Sequence, residues 1–310
     1  MEELFFDRLK EILTDQQIRL NEPMEYHTSL HIGGKADYFV LPKTISEICQ
    51  VITLCKQYKL PYYVMGNGSN LLVADTGFRG LIIKLGENFS KAQVKDDGVI
   101  TAQAGILLSK LANIAAENGL TGLEFASGIP GTLGGAITMN AGAYGGEMKQ
   151  CLLGAQLLDT EGNIVYYNTE QLQLGYRKSI LQSLSYIVLE ADIKLMPGDQ
   201  KQIREKMNEL NRLRREKQPL DKFSAGSTFK RPEGYFAGKL ISDAGLRGYR
   251  VGDAAVSEKH CGFIINHEHA TAREFLTVME DVARIVYEKF GVRLEPEVKL
   301  LGDFSQDKEN

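Results

Sequence analysis

The sequence predicts an α+β protein assembled from more than one packed unit, and three observations carry that reading. Between Leu71 and Met196 the apolar stretches are short and bounded by Gly, Asn or Asp, the punctuation of strands and turns. On either side, apolar residues recur at helical spacing, twice behind a Thr-x-x-Glu start signal. The length of 310 residues exceeds one ordinary core and suits two or three units.

In chain order, Phe5, Leu9, Ile12 and Leu13 place one apolar face on an opening helix. Alternation over Ala36 to Leu41 reads as a strand. Thr44 and Glu47 form a capping box for a helix that carries Ile45, Ile48, Ile52 and Cys55 and ends near Lys59. Tyr62 to Met65 is the next strand, so the first 66 residues make a strand-helix-strand unit. Strands at Leu81–Ile83, Val99–Ile100, Ile164–Tyr167 and Ile187–Leu189 follow, interrupted by one helix with Leu108, Leu111, Ala112 and Ala115 that stops at Asn118-Gly119. Pro197-Gly198-Asp199 precedes a charged helix (Ile203, Met207, Leu210, Leu213) ending at Pro219. Cys261 to Asn266 is strand-like. Thr271 and Glu274 open a long helix whose apolar face is Phe275, Val278, Val282, Ile285 and Val286, stopped by Gly291. An extended piece, Val292 to Leu301, is broken by Pro296, and the polar tail Ser305 to Asn310 is expected to be disordered.

Composition narrows the function. Lys and Arg number 36 against 40 Asp and Glu, a net charge of −4, which argues against a nucleic-acid surface built on excess cations. No window of about 18 residues stays apolar and uncharged, so no membrane span is expected. Met1 to Lys10 is acidic and amphipathic rather than a secretory signal, which points to the cytoplasm. Cys49, Cys55, Cys151 and Cys261 lack C-x-x-C spacing and read as reduced thiols. Glycine stands out: eight of the 31 lie between Gly122 and Gly146, where the backbone must turn sharply or approach something closely.

Several segments could carry chemistry. The loop Gly66-Asn67-Gly68-Ser69-Asn70 follows an apolar strand, and its amides and side-chain donors suit a diphosphate, although alone it would equally be a hairpin turn. Gly33-Gly34-Lys35 fails the P-loop pattern, and no G-x-G-x-x-G opens a helix, so any dinucleotide binds on something other than a Rossmann unit. The run Ser127 to Gly146 is uncharged and rich in small residues. Neither helix nor plain strand explains it, whereas a flat ligand against bare backbone would, with tight packing as the other explanation. Gly175-Tyr176-Arg177-Lys178-Ser179, Ala225 to Lys230 and Leu294 to Val298 set isolated polar residues in apolar or glycine-rich surroundings. His267-Glu268-His269 lacks a third nearby ligand and reads as an exposed loop, and His27 and His31 lack a helical face, so no metal site is expected.

Taken together, from Thr28–Asp37 to Glu295–Val298, these segments resemble the UDP-N-acetylenolpyruvoylglucosamine reductases, flavoenzymes of bacterial peptidoglycan precursor synthesis. The most specific are Gly66 to Asn70, Ser127 to Gly146, Tyr176-Arg177, Gly226-Ser227-Thr228-Phe229-Lys230 and Glu297, in the family's order. The resemblance implies an FAD-binding fold of the p-cresol methylhydroxylase and vanillyl-alcohol oxidase type, made of two α+β subdomains (1–66 and 67–198), then an α+β substrate domain (199–303) and a tail (304–310). It implies non-covalent FAD, NADPH as reductant and a UDP-sugar substrate. Gly66, Asn67, Gly68, Ser69 and Asn70 would hold the diphosphate. Gly128, Ile129, Gly131, Thr132, Gly134, Gly135, Asn140, Gly142 and Ala143 would line the isoalloxazine and its neighbours. Tyr176, Lys217 and Lys230 would face substrate; Arg214, Arg215 and Lys217 also suit a diphosphate or FAD, though a solvated helix end accounts for them nearly as well.

Arg177, Ser227 and Glu297 fall on the family's catalytic positions. The resemblance implies that hydride from flavin N5 would add to the far carbon of the enolpyruvyl double bond, that Arg177 would stabilise the developing enolate, and that Ser227 would deliver a proton. Glu297 beside an enolate would have to be protonated or paired with Arg177. Arg231 stands where many members have Asn, so that amide's substrate contact does not carry over. Fifty residues separate Arg177 from Ser227, which matches the shorter subclass of the family. The rivals are a flavin oxidase, weakened because neither glycine-rich segment holds a histidine to tether FAD, and a non-catalytic nucleotide-sugar binder. A monomer is expected.

Overall fold

The computed structural model describes residues 2–305. They fall into two compact units, one running through Arg19 with Tyr38–Asn67 and Gly80–Arg214, the other comprising Leu20–Asp37, Gly68–Arg79 and Arg215 onward.

In the first unit, helix α1 (Glu2–Ile12) buries Phe5 and Leu9, and α2 (Ile45–Tyr58) buries Ile48, Val51, Ile52, Leu54 and Cys55 in the same core. The expected capping box at α2 is half formed. Thr44 Oγ1 accepts from Glu47 N at 3.1 Å, but the Glu47 carboxylate turns instead to Lys43 N at 2.6 Å and Gln17 Nε2 at 2.8 Å. The Gln17 amide lies on a 3-10 turn next to a strand, Ile18–Pro23, absent from the sequence reading. Tyr62–Met65 pairs in parallel with the Phe78–Lys84 strand, Tyr62 opposite Leu81.

Five antiparallel strands then form one sheet in the order Ile164–Asn168, Leu152–Leu158, Ile187–Lys194, Val99–Gln103, Ala92–Val94. Helix α3 (Leu108–Glu117) buries Leu108, Leu111, Ala112, Ala115 and Ala116. Helix α4 (Leu133–Thr138) packs on the strands at 187–194 and 99–103. It corrects the expectation that the Ser127 to Gly146 run contains no helix: Leu133 and Ile137 are fully buried, and that packing outweighs the poor helix propensity of Gly134-Gly135. The same run also holds the short strand pair Gly142–Ala143 and Gly146–Glu147. A single turn, α5 (Leu181–Leu184), precedes the last long strand, and α6 (Gln200–Lys217) turns Ile203, Met207 and Leu210 inward.

The second unit carries a four-stranded antiparallel sheet in the order Phe223–Ser224, Ile264–Asn266, Ala254–Val256, Arg250–Val251. Helix α7 (Ala237–Asp243) packs on α8 (Ala272–Phe290), and α8 packs on this sheet. The capping box of α8 is complete, and Gly291 ends the helix at φ 69°. Only Ile264–Asn266 of the expected Cys261–Asn266 strand is extended, because Gly262 sits in a turn closed by Phe263 N donating to His260 O at 3.0 Å. Of the expected Val292–Leu301 strand, Lys299–Leu301 pairs in parallel with Leu71–Val73. Residues 306–310 of the expected disordered tail lie outside the described residues. All four cysteines are free, with Cys49 only half-buried.

Candidate active site

The first unit joins two of the segments nominated by sequence. Asn67 Nδ2 donates to Pro130 O at 2.7 Å, and a Cβ on Gly66 would come within 2.1 Å of Thr132 Oγ1. No side chain fits at Gly66 because the loop is pressed on the Thr132 hydroxyl. Most glycines of the run serve the same end. A Cβ on Gly128 would meet Asn211 Oδ1 at 2.4 Å, on Gly134 the Ala104 Cβ at 2.9 Å, and on Gly142 the Gly146 carbonyl at 2.6 Å. Gly135 differs, being exposed with nothing nearer its missing Cβ than Thr132 Oγ1 at 3.8 Å. Gly131 O accepts from Leu108 N at 3.0 Å, Ile129 rests on the core, and Ala143 lies opposite Gly146. Close packing thus accounts for most of the glycine richness, while the same segments, Gly128–Gly131 and Gly134–Gly135, also present a partly exposed, uncharged strip. Backbone and small side chains without a carboxylate suit a neutral ring system and its amide-bound phosphates, so the residues present fit FAD.

Arg214, on the last turns of α6, lies against Gly128 through its Cδ. Burial pulls its guanidinium below the usual value, and Tyr144 opposes that shift. Lys217 is exposed. Asn211, which the sequence reading passed over, shares a wall with Asn113, Ser127, Arg204, Met207 and Asn208 around a cavity of about 130 Å³. Its i, i+3 relation to Arg214 was the available signal.

Tyr176 and Arg177 occupy the tip of a two-residue loop closed by Gly175 N to Lys178 O at 2.9 Å and Lys178 N to Gly175 O at 3.1 Å. Arg177 takes φ 52°, in the left-handed region that costs a side-chain-bearing residue about 1–2 kcal/mol. Its guanidinium carbon lies 5.4 Å from the centre of the Tyr176 ring, and Tyr176 is exposed.

In the second unit, Gly68 takes φ 62° with its missing Cβ facing His27 O, and its carbonyl accepts from Ser29 N at 3.2 Å. Ser69 is half-buried. Asn70 Nδ2 donates to Glu297 O at 3.1 Å, and Asn70 O accepts from Lys299 N at 3.0 Å. Glu297 N in turn donates to Thr228 O at 2.8 Å, Lys230 N donates to Glu295 O at 2.9 Å, and Phe229 bridges Pro296. Seventy positions apart in sequence, Ser227 and Glu297 are therefore on adjoining backbone. Thr228 holds this ribbon down: it is 1% exposed, its N–H donates to Gly262 O at 2.9 Å, and its Oγ1 accepts from Ile264 N at 3.0 Å. Lys230 Nζ stands 3.1 Å from Glu295 Oε2, and Arg231 covers the Phe236 ring at 4.1 Å. His267 to His269 form a partly exposed loop, and among the described residues no three His, Cys, Asp or Glu side chains gather as a metal site. No described helix is long and apolar enough to cross a membrane.

Two family models match the chain: an FAD binding domain over residues 36–167, and the C-terminal domain of UDP-N-acetylenolpyruvoylglucosamine reductase over 218–301. An uncharged glycine-rich site within this α+β fold, matched to the FAD-binding model, defines the class as an FAD-dependent oxidoreductase. The UDP-N-acetylenolpyruvoylglucosamine reductase of Lachnoclostridium phytofermentans is 53% identical over 306 residues, covering 98% of this chain and 99% of the relative. That of Caldanaerobacter subterraneus is 52% identical over 304 residues, covering 98% and 100%. The crystal structure of the Thermus caldophilus enzyme superposes with a TM-score of 0.79 at 37% identity, covering 92% of this chain and 100% of that one. The chain belongs to the UDP-N-acetylenolpyruvoylglucosamine reductase family, whose reaction is the reduction of that sugar nucleotide in peptidoglycan synthesis. Its fold is the FAD-binding fold followed by a C-terminal α+β part that the resemblance implied.

Proposed function

We propose that the chain reduces UDP-N-acetylenolpyruvoylglucosamine with NADPH through non-covalent FAD, in the cytoplasm and as a monomer, with Arg177, Ser227 and Glu297 as its catalytic residues. The parts 1–66, 67–198 and 199–303 take the roles of two FAD subdomains and a substrate domain in this reading. Gly66 to Asn70 hold the diphosphate with Arg214, and the strip from Gly128 to Ala143 lies along the ring, Asn140 contributing backbone alone because its side chain is buried and bonded to Gly175, Glu147 and Lys149. Tyr176, Lys217 and Lys230 meet the sugar nucleotide, Lys230 by exchanging its exposed partner Glu295 for substrate.

When bound, FAD supplies the relay by which a hydride from NADPH reaches the enolpyruvyl methylene carbon. The electron pair of the double bond then collects on the adjacent carbon and its carboxylate. Arg177 offers that enolate a permanent, planar cation, held at the tip of a closed loop so that little reorganisation accompanies the charge. The Ser227 hydroxyl donates a proton to the carbanionic carbon and recovers one from solvent. Glu297 joins them as the neutral acid or paired with Arg177, since a lone carboxylate would repel the enolate. The observation that best supports the reading is the pairing of residues 228–230 with 295–297, which gives an alcohol and an acid from distant segments a common address.

The test is spectral. Purified protein should be yellow, release its colour on heating, bleach with NADPH, and recover colour without oxygen only when the enolpyruvyl substrate is added. Colour that stays with the denatured polypeptide supports an oxidase with tethered flavin, and protein that cannot be loaded with FAD supports a binding protein; either overturns the reading.

A further inference from the structure

We propose that Asn140 is a positioning residue whose buried amide fixes the loop that presents Arg177; the inference rests on the reading in which Arg177 stabilises the enolate. Asn140 is 1% exposed, and its side chain is spent inside the chain. Nδ2 donates to Gly175 O at 3.0 Å and to Glu147 Oε2 at 2.9 Å, while Oδ1 accepts from Lys149 N at 2.9 Å. The opposite amide orientation would set its oxygen against a carboxylate and a carbonyl and its NH2 against an N–H, so the three partners fix which way it points. Glu147 is itself held, its Oε1 2.7 Å from Lys149 Nζ. The chain Lys149–Glu147–Asn140 therefore ends on the carbonyl of Gly175, the residue that closes the Tyr176-Arg177 loop.

The other flank of the loop is tied to the same helix end. Ser179 Oγ donates to Thr138 O at 2.6 Å, and Gln182 Nε2 donates to Thr138 O and to Arg177 O, each at 3.1 Å. Thr138 and Asn140 thus grip the loop from both sides. Asn140 and Arg177 both hold left-handed backbone, φ 42° and 52°, a conformation that persists only where the surroundings enforce it. Asn tolerates that region better than most residues, which explains why it stands here rather than Gln. A displacement of about 1 Å at a charge-stabilising group costs about 10²-fold in rate, so loosening the Gly175 anchor should be felt at Arg177.

Asn140→Gly removes the amide while keeping the backbone conformation accessible. In the FAD-loaded enzyme it should lower kcat by about 10- to 100-fold with kcat/KM for NADPH unchanged, and it should cost nothing further in an Arg177→Ala background. In FAD-free protein, amide hydrogen exchange over residues 173–182 should quicken. Should Asn140→Gly fail to fold, the isosteric Asn140→Asp, which keeps the acceptor and loses the donor, carries the same test. The inference is overturned if turnover stays within twofold of the parent, if kcat/KM for NADPH falls in step with the loss, if the loss persists undiminished beside Arg177→Ala, or if exchange over 173–182 is unchanged. An Arg177→Ala enzyme with parental turnover would instead remove the catalytic reading, while the exchange measurement would still report on the anchor.

Discussion

Replacing Thr228 by Val tests how the ribbon bearing Ser227 is held. The two side chains have similar shape, so no cavity opens, and the backbone bonds of residue 228 to Gly262 and Glu297 survive. What is lost is the Oγ1 acceptor of Ile264 N, a 3.0 Å bond with residues 228 and 264 both 1% exposed. Leaving a buried N–H unsatisfied costs about 1–3 kcal/mol, a factor of roughly 5–150 in the unfolding equilibrium. Thr228→Ser keeps the bond and loses one methyl, about 1 kcal/mol. Urea unfolding with FAD in fixed excess measures the two costs, because ligand held constant adds the same mass-action term to each variant. Amide exchange separates their mechanisms: Ile264 N–H should lose protection in Thr228→Val and keep it in Thr228→Ser. A Thr228→Val protein within about 0.5 kcal/mol of the parent, with Ile264 still protected, would refute the reasoning.

Three further outcomes follow from other parts of the molecule. Asp75 accepts from Ala272 N at 2.8 Å and Arg273 N at 3.1 Å at the start of α8, so Asp75→Ala should destabilise by about 1 kcal/mol in urea and Asp75→Asn by less. Burial pushes the Cys55 and Cys151 thiols up to about 12 from the ordinary 9.0, so the stability they contribute is complete below pH 9 and drains away as pH rises to about 12. At about 1.4 kcal/mol per unit, the alkaline limb is worth up to about 4 kcal/mol per thiol, and a Cys55→Ala, Cys151→Ala protein should show a flatter one in pH-dependent unfolding. Glu297→Gln should alter both kcat and its pH profile; parental values of both would remove the residue from the mechanism.

Helix periodicity was the most legible signal, since the apolar faces of α1, α2, α3, α6 and α8 are all set by local spacing. Competition from outside the window spoiled the details. Glu47 follows the local rule at α2 only halfway because Gln17, thirty residues earlier, draws its carboxylate away. The strand Ile18–Pro23 escapes notice because Leu20 is exposed and Asn21 takes φ 50°, so the apolar alternation is broken. Helix α4 hides behind two glycines, of which Gly134 must be small to pack on Ala104. For the site, the motif residues are readable one segment at a time. The pairing of 228–230 with 295–297 and the grip of Thr138 and Asn140 on the 175–178 loop depend on long-range closure, which spacing does not encode.

In the proposed mechanism a serine acts as the acid for an enolate that a fixed guanidinium stabilises. Because hydride addition reverses until the enolate is protonated, single-turnover mixing of NADPH-reduced enzyme with the enolpyruvyl sugar nucleotide, without oxygen, reads the proton delivery as the net return of yellow colour. Ser227→Ala should slow the return by at least about 10²-fold. Colour returning at the parental rate, with product formed, would show that the proton comes from elsewhere and would contradict the account.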